Sequence, residues 1–210
     1  PLRQALAEAL RLDPAAITVY HAHGAGCYGQ NGADDAALDA AVIATLLPET
    51  PIRLLWQRED EFGFEPVGSA MAIRLEATLG PDGLPVDLLT EIWSAPHVGN
   101  TRAGANLLAT RALPEPPPAI ASNESSSPDP GAATRNAAPY YDIPAHRLLH
   151  HFIPRGPVRT ASLRGLGALP NVFALEGFLD ELAVFSHTDP LDYRLAMLPD
   201  PRARAVLGRA

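Results

Sequence analysis

The segment Gly24-Ala-Gly-Cys-Tyr-Gly-Gln-Asn-Gly-Ala-Asp-Asp35 follows a β-branched run, Ile17-Thr-Val-Tyr-His-Ala22, and precedes an alanine-rich stretch from Ala33 to Leu47. Strand, glycine-rich turn and helix in that order aim backbone amides at whatever lies beyond the helix start. Glycine lets the main chain come close, and a helix N-terminus favours negative charge. A second segment, Arg159-Thr-Ala-Ser-Leu-Arg-Gly-Leu-Gly167, repeats the device with arginine in place of the aromatic. The two together predict a fold that turns glycine loops toward an anionic ligand.

Composition narrows the classes. At 210 residues, 47% hydrophobic and 19% charged, the chain can bury a core and reads as globular, with one or two domains. A net charge of −8 argues against a nucleic-acid surface, and the basic residues are all arginine, as in a high-GC genome. The single cysteine, Cys27, forms no internal disulfide, and no CxxC or Cys/His spacing predicts a protein-ligated zinc or iron–sulfur site. No apolar run has the length to span a bilayer. The chain begins at Pro1 rather than Met, so the native N-terminus is expected to lie upstream, and the compartment, cytoplasmic or periplasmic, stays open.

Periodicity predicts a helix over 2–12, strands at 17–22, 52–57, 70–79 and 86–93, a strand at 147–153, and helices over 172–186 and 190–198. Pro81-Asp-Gly-Leu84 is a turn that joins 70–79 to 86–93 as a hairpin. Leu113–Pro130 is rich in proline and serine and reads as a loop, in part polyproline II. The expected fold class is α+β, with mixed or antiparallel sheets and flanking helices. The expected divisions are 1–112, a loop at 113–134, and 135–210.

Several segments in one order resemble the molybdopterin-binding large subunits of the xanthine dehydrogenase/aldehyde oxidoreductase family, in the isoquinoline 1-oxidoreductase and nicotinate dehydrogenase-like branch. They are Gly26-Cys-Tyr-Gly29 with its extension to Asp35, Trp56-Gln-Arg-Glu-Asp-Glu-Phe62, Ser69-Ala-Met-Ala-Ile-Arg-Leu75 and Glu91-Ile-Trp-Ser94. Tyr141-Asp-Ile-Pro144, Arg159–Arg164, Asn171–Leu182, Asp189–Leu195 and Asp200–Arg204 continue the series.

The resemblance implies part of the molybdopterin-binding domain of a molybdenum hydroxylase. Such a protein oxidatively hydroxylates an aldehyde or N-heterocycle with oxygen from water. It implies molybdopterin, in its cytosine dinucleotide form, as cofactor, with Gly26, Tyr28, Gly29, Arg164 and Gly165 as cofactor-binding residues and Leu166 at the substrate pocket. It implies a [2Fe–2S] small subunit and a further electron-transfer subunit as partners. The cofactor's oxo, dithiolene and phosphate groups are acceptors, which backbone amides and a guanidinium fork suit. Members carry phenylalanine where this chain has Leu166, and an acidic residue where it has Gly32, with Asp34 and Asp35 beyond. Their catalytic glutamate lies in a C-terminal part absent here, so the chain is expected to be a piece of a larger subunit and inactive alone, with no catalytic residue assigned.

Two other readings stand beside this one. The chain could be a non-catalytic scaffold remnant or assembly module that binds no molybdenum, or a small protein whose glycine turns hold an ordinary phosphate. Among single residues, Cys27 reads as a small buried residue, and Asp34-Asp35 as dipole partners of a helix start. Arg58-Glu-Asp-Glu61 reads as a solvated turn. His21 and His23 share a strand face without a third ligand, and His150 and His151 point to opposite faces.

Overall fold

The computed structural model describes residues 1–29, 32–122 and 132–209. The chain divides into two compact units, each built from three stretches: Pro1–Ser69, Pro96–Glu124 and Pro154–Arg164 form the first, and Ala70–Ala95, Ser125–Ile153 and Gly165–Ala210 the second.

In the first unit, helix α1 (Leu2–Leu10) buries Ala5, Leu6 and Ala9 in a core shared with Ala33, Leu38 and Leu107. Arg11 ends α1 in the left-handed conformation. Gly104 lets α1 approach, because a Cβ there would run into the Ala5 carbonyl. Helix α2 (Asp35–Leu46) supplies Leu38, which is fully buried. Helix α3 (Arg58–Phe64) starts with a capping box: the Gln57 side chain takes the Asp60 amide, and the Asp60 carboxylate takes the Gln57 amide at 2.8 Å. The expected solvated turn at 58–61 is therefore a helix, its Arg58–Glu61 pair exposed as expected.

Neither 17–22 nor 52–57 is a strand. A short 3₁₀ turn (Pro14–Ala16) leads into extended chain in which Tyr20 is 91% exposed. β-branched residues suit a pleated surface, but a strand also needs a ladder partner, and neither segment has one among the described residues.

The second unit holds a mixed three-stranded sheet, order β1-β2-β3, with α+β composition as expected. Strands β1 (Met71–Leu79) and β2 (Pro85–Ser94) are antiparallel, joined through Gly83 at φ 79°, so the predicted hairpin is present. Strand β3 (Ala145–Phe152) lies parallel to β2, from Asp87↔Ala145 to Ser94↔Phe152.

Alternation sorts the sheet. Leu75, Ala77 and Leu88 face helix α4 (Ala168–Phe185), which buries Leu175, Leu179 and Ala183 against them together with Tyr193 and Met197. The opposite face carries Arg74, Glu91, Asp87, Arg147 and His151 as ion pairs. Pro170 sits in the first turn of α4, where a missing amide hydrogen costs nothing, so the helix starts before the expected 172. Helices α5 (Pro190–Met197) and α6 (Pro201–Leu207) each begin with Asp capping followed by Pro; α6 is an element that periodicity does not predict.

His150 and His151 point to opposite faces, as expected: His150 meets the Ser94 hydroxyl at 2.9 Å, and His151 meets Glu91 at 2.7 Å. His146 meets the buried Thr90 hydroxyl at 3.1 Å, and burial, opposed by the nearby Asp87 charge, holds its imidazole below the ordinary value. A histidine with a lowered folded pKa contributes stability that is full above the unfolded value near 6.5 and is lost as pH falls through the folded value. Urea unfolding followed by Trp93 fluorescence in a Trp56→Phe background should therefore show a midpoint that drops between pH 7.5 and pH 5. The drop should be smaller in His146→Gln.

Candidate functional site

The first glycine turn is built by two consecutive left-handed residues, Tyr28 at φ 52° and Gly29 at φ 95°. The Tyr28 carbonyl accepts the Arg164 amide at 3.1 Å. A Cβ on Gly29 would lie 2.7 Å from Leu163 Cα and 2.9 Å from Arg164 N, and closer still to the Ser162 carbonyl. Backbone angle and space both demand glycine. The Arg164 guanidinium stands 5.3 Å over the centre of the Tyr28 ring, within cation–π range. Two turns more than a hundred residues apart thus meet main chain to main chain.

The segment 159–164 is held in a sleeve of glycines. Val67 pairs with Thr160 in a parallel bridge, its amide donating to the Arg159 carbonyl at 3.1 Å and its carbonyl accepting the Ala161 amide at 2.9 Å. A Cβ on Gly32 would meet Ala161 Cβ at 2.5 Å, one on Gly68 the Leu163 side chain at 3.0 Å, and one on Gly99 the Thr160 carbonyl.

Arg159 fixes the segment from its other end. Its fork takes both oxygens of Asp35, Nη2–Oδ2 at 2.5 Å and Nη1–Oδ1 at 3.1 Å, and also donates to the Asn106 and Phe64 carbonyls. Asp35 accepts the Leu108 amide as well, at 2.9 Å, and is 1% exposed. Asp35 is therefore a buried ion-pair partner, not simply a dipole partner of α2. Sequence alone marked both residues without joining them.

Beside Gly29 lies a cleft of about 430 Å³ lined by Cys27, Gly29, Gly32, the loop from Val98 to Ala103, Ala161 and Ser162. The loop is braced on both sides. Thr101 Oγ1 donates to the Gly32 carbonyl at 2.6 Å, Asn100 Nδ2 to the Ala121 carbonyl at 2.7 Å, and Asn106 Nδ2 to the Asn100 and Ile120 carbonyls at 2.8 Å. The described end of the proline-rich loop is thus strapped down; its residues 123–131 lie outside the described residues, as do Gln30 and Asn31 of the first turn. Cys27 is exposed on this cleft, contrary to the expected burial. The 98–103 wall was missed in the sequence, where Gly99-Asn100 was its one turn signal.

Of the other residues singled out, Gly26 lies against the Tyr28 ring, 3.0 Å from where its Cβ would stand to Tyr28 Cε2. Gly165 and Leu166, in the second unit, are again two left-handed residues in succession, at φ 93° and 53°. The Gly167 amide after them donates to the Ala132 carbonyl at 2.8 Å, and Asn171 Nδ2 donates to the Ala133 and Arg135 carbonyls. His21 and His23 are exposed with rings edge to face at 5.8 Å, and no cluster of three metal-ligating side chains occurs among the described residues.

Over 203 residues, 96% of its length, the chain is 34% identical to the B subunit of nicotinate dehydrogenase from Pseudomonas putida. Over 199 residues, 94% of its length, it is 30% identical to the beta subunit of isoquinoline 1-oxidoreductase from Brevundimonas diminuta. The chain is a homologue of a stretch of these two proteins. It spans 16% and 23% of their lengths. No family model matches the chain.

The buried pair generates the first test of the site. Removing one partner of a buried ion pair costs roughly 3–5 kcal/mol, because the other charge is left uncompensated. Arg159→Met should lower the urea-derived unfolding free energy by about that much, and Asp35→Leu/Arg159→Met by less than Arg159→Met alone. An Arg159→Met variant within about 1 kcal/mol of wild type would remove the pair from its structural role.

Proposed function

We propose that this chain is the portion of a molybdenum hydroxylase large subunit that cradles molybdopterin at the Tyr28–Gly29 and Arg164 turns. The reading rests above all on the direct bond between the two turns, Arg164 amide to Tyr28 carbonyl, at a glycine that nothing larger can replace. Homology to proteins named for nicotinate and isoquinoline oxidoreduction supports the same chemistry.

The donor set fits the cofactor. A guanidinium held over an exposed aromatic ring, beside main chain bared by glycine, suits a ligand rich in oxygen acceptors and negative charge. No carboxylate pairs with Arg164 among the described residues, so its charge is available.

In this role Arg164 holds the cofactor electrostatically and Tyr28 positions the guanidinium. Gly29 keeps the two main chains at contact distance, and Gly165 and Leu166 shape the next turn of chain. The cofactor supplies the two-electron redox chemistry, and the protein supplies binding and orientation. The overall reaction inserts oxygen from water into a carbon–hydrogen bond of an aldehyde or N-heterocycle. It releases two protons and two electrons, the electrons passing to a [2Fe–2S] partner.

The test is molybdenum by elemental analysis and pterin by fluorescence after oxidative release, on the full-length reading frame co-expressed with its neighbours. Stoichiometric metal and pterin are expected in the wild type. Both should fall together, by tenfold or more, in Gly29→Ala and in Arg164→Met, the latter with an unchanged thermal midpoint because Arg164 is exposed. A folded wild-type protein containing neither would leave the scaffold-remnant reading in its place.

A further inference from the structure

The cleft beside Gly29 differs chemically from three other hollows among the described residues. A hollow of about 520 Å³ at Trp56 includes Asp39 and Asp60, and one of about 380 Å³ at the end of α1 includes Glu115. A third, of about 670 Å³, includes Glu76 and Asp87. In a chain with 24 acidic and 16 basic residues, a carboxylate in every hollow is the default. The 430 Å³ cleft has none among its lining residues, and it has Arg102.

Two of its polar side chains are already engaged. Thr101 and Asn100 brace the loop through their own bonds, which leaves Arg102 at the cleft with no carboxylate partner among the described residues. Ser162 is among the residues that line the same space. An arginine and a serine among the lining residues, with no acid beside them, suit a multiply charged oxyanion. The volume exceeds what one inorganic phosphate fills and suits a phosphate-bearing organic group.

We infer that the cleft walled by Arg102, Ser162 and the 98–103 loop is a binding subsite for a phosphate or pyrophosphate ester, distinct from the contacts of Tyr28 and Arg164. Its anion comes either from the phosphate arm of the cofactor proposed above, in which case it rests on that reading, or from a separate phosphate-bearing ligand. The chemistry is the same for both, and the assay separates them.

The probe is inorganic pyrophosphate, titrated calorimetrically into the full-length protein purified from a host unable to make molybdopterin. Saturable binding is expected, weakened tenfold or more in Arg102→Met and less in Ser162→Ala. Arg111→Met, which removes an exposed arginine elsewhere in the same unit, should bind as wild type. Pyrophosphate binding that vanishes in cofactor-loaded protein, with pterin content reduced in Arg102→Met, assigns the site to the cofactor's phosphate. Binding that persists in loaded protein, or that depends on Arg102 in a protein shown to take up no pterin, assigns it to a separate ligand. No saturable binding to the wild type, or equal binding by Arg102→Met and wild type, overturns the subsite.

Discussion

The Asp35–Arg159 pair is the interaction on which the first unit depends. It ties the start of α2 to a segment more than a hundred residues later, and the same two side chains reach the Leu108 amide and the Asn106 and Phe64 carbonyls. Four stretches of chain that share no strand ladder are therefore held through one bidentate contact. Its cost in desolvation is met because each oxygen of Asp35 has a donor, and the fork of Arg159 spends its remaining donors on carbonyls. Without such a hub, the glycine turn before α2 and the segment 160–164 would have no reason to share a register.

Given that hub, the glycines follow from geometry. The segment 160–164 runs where Gly29, Gly32, Gly68 and Gly99 have no side chains, and among the described residues the Val67 bridge alone supplies sheet-like pairing. Main-chain contact replaces side-chain packing there. This contact explains why a stretch so poor in buried apolar side chains keeps a defined course. The cleft of 430 Å³ is the space left between this strut and the 98–103 loop.

How much of this was legible depends on whether the determining contact was local. The β1–β2 hairpin was readable because Pro81-Asp-Gly carries its own turn chemistry. Helices α1, α4 and α5 were readable from composition, and α6 was missed although Asp200-Pro201 is a capping aspartate followed by proline at the first helical position. Ile17–Ala22 and Ile52–Gln57 have strand composition and no ladder partner among the described residues, a fact that no local pattern contains. Helices α2 and α4 are apolar on every side, so no stripe marked which face turns inward; in α2 only Asp35 and Leu38 are buried. The glycines and Arg164 of the candidate site were marked by residue type, whereas the 98–103 wall and the Asp35–Arg159 link are products of long-range folding.

The same long-range folding decides what each arginine does. All the chain's basic side chains are arginine, so sequence offers no distinction between a structural fork and a ligand-facing one. Arg194 meets Glu176 and Asp180 within 2.8 Å and closes α5 onto α4; the Tyr141 hydroxyl joins that cluster by donating to Glu176, and burial beside the Glu176 charge pushes it up to about 12. Arg159 is consumed by Asp35 in the same way. Arg164 and Arg102 meet no carboxylate among the described residues although acidic side chains outnumber basic ones, and both stand beside glycine-lined main chain. Lack of a carboxylate partner among the described residues is shared by other exposed arginines such as Arg111; what sets Arg164 and Arg102 apart is the glycine-lined main chain beside them, around a cleft with no acid among its lining residues.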